Sequence, residues 1–65
     1  MKMELENYQV EVEKAFQQHK REIESALVDF PSKIRGGEML KRIHSSNRKL
    51  GSELAMLAEQ LLQPD

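Results

Sequence analysis

The chain has 65 residues, a formal net charge of −1, and neither Cys nor Trp, which limits it to one small domain with a thin apolar core. Chains of this size usually depend on disulfides, a metal or another chain for stability, and the lack of Cys excludes the first along with thiolate metal sites. The near-neutral charge excludes a global field aimed at nucleic acid or membrane, and no apolar run is long enough to span a bilayer.

The opening "MKMELENYQ" places acids where a secretory signal would carry an apolar core, so folding in the cytoplasm is expected. Leu5, Tyr8, Val12, Ala15, His19, Ile23, Ala26, Phe30 and Ile34 follow at intervals of three or four, with Phe16 and Leu27 widening the stripe. That spacing predicts a first helix over about residues 3–34 with one apolar face. Pro31 lacks an N–H and disfavours helical geometry at Phe30, so a kink or break is expected near residues 28–30.

A hairpin turn is expected at residues 35–37, formed by Arg35, Gly36 and Gly37, where the glycine pair can take positive φ at little cost. Arg35 then complements the C-terminal dipole of the first helix, and Glu38 the N-terminal dipole of the second. The second helix is predicted over about 38–62, its seam formed by Leu40, Ile43, Asn47, Leu50, Leu54, Leu57 and Leu61. Pro64 marks its expected end. Unbroken three–four alternation of this kind is specific for a helix packed lengthwise against another.

The fold class is therefore all-α: an antiparallel two-helix hairpin, coiled-coil-like, completed by oligomerisation or by partner helices. Closure about the glycine pair sets Ile34 near Leu40, Phe30 near Ile43, Ile23 near Leu50, Phe16 near Leu57 and Val12 near Leu61. Asn47 occupies a core-type position, where an amide fixes register at some cost in stability. His19 faces the region of Leu54 as a packing residue, with pH sensing as the alternative role.

Several apolar or small residues fall outside this seam. Gly51, Ala55, Ala58 and Leu62 form a flanking face on the second helix, and Val10 and Val28 lie off the main stripe of the first. Gly51 costs about 1 kcal/mol relative to Ala in a helix interior, which suggests close approach by another helix. These six residues are the candidate partner-binding set, since an uncovered apolar patch on a small chain marks an interaction surface. Met39 and Met56 suit either core filling or a binding face that re-packs.

Nothing in the pattern predicts an enzyme, a cofactor or a bound metal. Clustered His, a glycine-rich loop after a strand and a nucleophile–base pair are all missing from the sequence. Ser45 and Ser46 are expected on the surface of the second helix. Charge is segregated along the chain: Glu4, Glu6, Glu11 and Glu13 gather near the start, and Lys33, Arg35, Lys41, Arg42, Arg48 and Lys49 around and after the turn. The folded hairpin thus has an acidic open end and a basic turn end. That end could touch phosphates, but no aromatic residue interleaves it for base stacking.

The segments "ESALVDF" (24–30), "IRGGE" (34–38) and "SSNRKLGSELAML" (45–57) resemble the small YscE-like (SctE-type) co-chaperones of bacterial type III secretion needle subunits. The "RGGE" turn is the distinctive element of the likeness, and Pro31 departs from the uninterrupted first helix that it implies. The resemblance implies a cytoplasmic bacterial protein that binds and stabilises a helical-repeat (TPR-like) chaperone. The pair would then keep the needle subunit monomeric before export, and the hairpin would self-associate when alone. Two other readings share the hairpin: a homodimeric four-helix bundle that regulates RNA through its basic residues, and a generic protein-binding module.

Overall fold

The computed structural model describes residues 3–62. Two helices account for nearly all of them, α1 over Leu5–Asp29 and α2 over Gly36–Leu62. They pack along their length as an antiparallel hairpin measuring 51 × 16 × 10 Å. The all-α hairpin expected from the spacing of the apolar stripes is the observed architecture.

The turn lies earlier than the glycine pair. Helix α1 ends at Asp29, and Phe30 is extended, with φ −87° and ψ 137°, the geometry a following proline imposes. The Phe30–Pro31 peptide is cis. The carbonyl of Asp29 accepts from the backbone N–H groups of Lys33 at 2.7 Å and Ile34 at 3.2 Å, closing a tight connection over residues 30–35. Pro31 therefore stops α1 outright, and no helical turn continues to residue 34.

Gly36 and Gly37 belong to the first turn of α2, and neither adopts positive φ. The expectation that Arg35, Gly36 and Gly37 form the hairpin turn, with positive φ at the glycine pair, is thus corrected: the reversal follows Pro31, and no special glycine conformation is required. Arg35 changes role as well. Its carbonyl accepts from the N–H of Met39 at 2.9 Å, which places Arg35 at the N-cap of α2, the positive end of that helix dipole. Pro64 lies outside the described residues.

Moving the turn toward the N-terminus slides the helices past one another. His19 Nδ1 lies 2.8 Å from Ser46 Oγ, not opposite Leu54, a displacement of about two turns along α2. At the open end the N–H of Met3 donates to the carbonyl of Gln60 at 3.1 Å, where Val12 was expected to meet Leu61. The expected pairs from Ile34–Leu40 to Val12–Leu61 are displaced with them.

The helix-to-helix seam is narrow. Ala15, Ala26, Ser46 and Leu57 are its buried residues, with His19, Ile23, Ile43 and Leu50 half-buried around them. Small side chains at Ala15, Ala26 and Ser46 leave room for close helix contact. Asn47 and Leu40 are exposed, whereas their neighbours Ser46 and Met39 turn inward. The inward stripe of α2 is therefore Met39, Ile43, Ser46, Leu50, Leu54, Leu57 and Leu61, spaced by threes and fours. Asn47 is not a core amide, and Ser46 is not a surface residue.

Candidate partner-binding face

The hairpin has two unlike sides. One is polar and closed by cross-helix contacts. Arg42 Nη1 donates to Asp29 Oδ2 at 2.8 Å and Nη2 to Ser25 Oγ at 3.1 Å. One helical stretch away, Lys49 Nζ lies 3.6 Å from Glu22 Oε1, and Gln18 Nε2 donates to the same oxygen at 3.0 Å. A groove of about 350 Å³ runs between Arg21, Glu22, Ser25, Arg42, Ser45 and Ser46 on this side.

Both carboxylates titrate below their ordinary range. For Asp29 the main cause is the hydrogen bond from Arg42, opposed by partial desolvation and helped by the charges of Arg42 and Lys33. For Glu22 it is the hydrogen bond from Gln18, then that from Ser46, with Lys49 adding a smaller attraction. Ser46 therefore sits between His19 and Glu22 as the polar centre of the seam.

The other side is apolar. Along α1, Leu5, Val12, Phe16, Ile23 and Leu27 recur every four or seven residues, within an arc of about 60° at 100° per residue, and Phe30 follows at the C-cap. That arc lies opposite the one carrying Gln18, Glu22, Ser25 and Asp29. On α2, Leu40, Leu54, Ala58 and Leu61 occupy the flank away from Arg42 and Lys49. The two flanks adjoin across the seam. Much of this surface is open: Leu5 is 61% exposed, Leu40 53%, Leu27 52%, Phe16 49% and Phe30 39%. Contiguous exposure of large apolar groups on this scale is unusual for a small folded chain.

The six residues singled out from sequence divide between surfaces. Gly51, Ala58 and Leu62 border the apolar face, with Ala55 at its outer edge. Leu62 is 80% exposed, and a Cβ on Gly51 would meet nothing within 4 Å, so among the described residues no other segment approaches that glycine. Val10 and Val28 share an angle on the back of α1, with Val28 75% exposed, and do not join the other four. The set is therefore not one surface. Phe16, Leu27 and Leu40 belong to the face instead; their signal was present in the stripe spacing, but the sequence reading assigned them to the seam.

Among the described residues no cluster of His, Asp and Glu could hold a metal ion, and no helix is long and apolar enough to cross a membrane. No protein-family model, curated protein or solved structure matches the chain.

Proposed function

We propose that the chain is a non-enzymatic binding module that lays its apolar face against helices of a larger protein. In the specific form that the YscE-like resemblance implies, it is a co-chaperone of the type III secretion needle subunit. It stabilises a TPR-like helical-repeat chaperone in the bacterial cytoplasm, and the pair keeps the needle subunit monomeric. The observation that supports this reading is the continuous exposed stripe of Leu5, Phe16, Leu27 and Phe30 beside Leu40. A third helix or helix pair set on that stripe completes a bundle that the hairpin leaves half-built.

Co-expression with helical-repeat chaperones of needle subunits, followed by size exclusion, tests the reading. Co-elution with such a chaperone, and a rise in the hairpin's melting temperature on binding it, are expected. Failure to co-elute with any of them removes the co-chaperone assignment.

The RNA-regulator reading has less support. Two of the four basic residues it relies on, Arg42 and Lys49, already face Asp29 and Glu22 across the helices. If RNA is bound through this side, changing Lys41, Arg42, Arg48 and Lys49 to Gln abolishes a salt-sensitive affinity.

A further inference from the structure

We propose that Ser46 and Glu22 hold His19 as its Nδ1–H tautomer, so that Nε2 is presented as a hydrogen-bond acceptor at the edge of the apolar face. A hydroxyl has one proton to give. Ser46 gives it to the carboxylate of Glu22, which also accepts from Gln18 and faces Lys49. An ionised carboxylate accepts and cannot donate. The 2.8 Å contact between Ser46 Oγ and His19 Nδ1 therefore has one direction left: Nδ1–H donates and the hydroxyl oxygen accepts. Donation runs from His19 on α1 to Ser46 on α2 and back to Glu22 on α1. Ser46 is 3% exposed, so water does not compete for its proton.

The tautomer decides what the other ring nitrogen does. Neutral imidazole in water favours the proton on Nε2, which makes that atom a donor. With the proton on Nδ1, Nε2 keeps its lone pair and accepts. The two ring nitrogens point in nearly opposite directions. Nδ1 is turned to Ser46 in the wall of the polar groove, so Nε2 points away from that groove. Among the described residues no buried side-chain nitrogen lacks a partner, and the ring is half-buried, so solvent reaches Nε2. His19 follows Phe16 by three residues and precedes Ile23 by four, which sets it beside the apolar arc of α1. A protein lying on Phe16 and Ile23 covers this nitrogen too. Sealing an acceptor without a donor costs binding free energy, so the geometry favours a covering segment that brings an N–H or O–H to this point.

The use of this acceptor rests on the proposed role of the apolar face, but its test needs no partner, whereas chaperone capture is read only by co-purification. Either can therefore fail without the other. The test is long-range 1H–15N correlation spectroscopy of the 15N-labelled full chain in alkaline solution, where imidazoles are neutral. His44, exposed on α2, serves as the internal reference. His44 is expected as Nε2–H, and His19 as Nδ1–H in about tenfold excess, the scale of one hydrogen bond in a charged relay. Ser46→Ala should return His19 to the His44 pattern, whereas Ser46→Thr, which keeps the hydroxyl, should preserve Nδ1–H. Glu22→Gln offers Ser46 an N–H in place of a pure acceptor and should erase most of the excess. Diethyl pyrocarbonate, which acylates unprotonated imidazole nitrogens, should modify His19 at Nε2.

A His19 that carries its proton on Nε2, or an even mixture of tautomers, overturns the proposal. An excess of Nδ1–H that survives both Ser46→Ala and Glu22→Gln overturns the relay as its cause. A His19 left unmodified while His44 reacts shows that Nε2 is sealed, and overturns its presentation to a partner.

Discussion

A methyl group placed on Gly37 meets nothing within 4 Å, and its backbone is already helical. Glycine there costs conformational entropy without supplying an unusual φ. Gly37→Ala is therefore expected to raise stability by about 0.5 kcal/mol in urea unfolding, whereas a glycine needed at positive φ would give a loss. Arg35 sits at the N-cap of α2, where its cation opposes the helix dipole and its side chain cannot accept from the first-turn N–H groups. Arg35→Ser should add about 1 kcal/mol, read as a higher urea midpoint at unchanged slope. The pH response belongs to Asp29 and Glu22. Both are lowered by hydrogen bonds in the folded state, so their stabilisation is fully present above the ordinary carboxylate range near about pH 4. It is lost as the pH falls through their lower folded values. Asp29→Asn combined with Glu22→Gln should reduce stability at neutral pH and flatten its decline between about pH 5 and 2.

At the scale of the helices, the period of the pattern was legible and the register was not. Leu5 to Ile34 and Leu40 to Leu61 announced two amphipathic helices, because three–four spacing has one structural meaning over such lengths. Two competing turn signals, Pro31 and the pair Gly36–Gly37, lay within one short stretch, and the proline prevailed since it removes an N–H that α1 would need. Moving a hairpin turn by half a heptad slides the partner strand of the seam by a whole one, so the stripes still coincide while every pairing changes. Met39 and Ser46 were hidden for a related reason: the stripes 39, 43, 46, 50 and 40, 43, 47, 50 fit a helix equally well, and hydropathy favoured Leu40. Ser46 is 3% exposed and bonds His19, so the new register has a polar reporter. A double-mutant cycle of His19→Ala and Ser46→Ala should give a coupling of about 1 kcal/mol. The cycle of His19 with Leu54, the pairing expected from a glycine turn, should give a coupling near zero.

For the whole molecule, the narrow seam and the open apolar side are two aspects of one arrangement. Small residues at Ala15, Ala26 and Ser46 bring the helices together but bury little surface, while Phe16, Leu27 and Leu40 remain exposed where the proposed partner would sit. If another chain covers that side as proposed, it adds to stability, so the melting temperature should rise with the concentration of whatever binds there. Leu27 and Val28 supply an internal control. They are adjacent in α1 and both exposed, at 52% and 75%, yet Leu27 belongs to the apolar face and Val28 to the back. Any loss of helix propensity or solubility from adding a charge is shared by Leu27→Lys and Val28→Lys, and only the first places that charge within an apolar contact. Leu27→Lys should weaken binding of the covering protein about ten- to a hundredfold, the loss of a buried leucine's contribution. Val28→Lys should leave it within a factor of about two, as substitutions away from contacts do. Affinities from titration calorimetry against the co-purified partner, or from sedimentation of the chain with itself, make the comparison. Equal weakening by both substitutions would mean that the covering surface wraps the back of α1, and the two-sided description of the hairpin would then have to be abandoned.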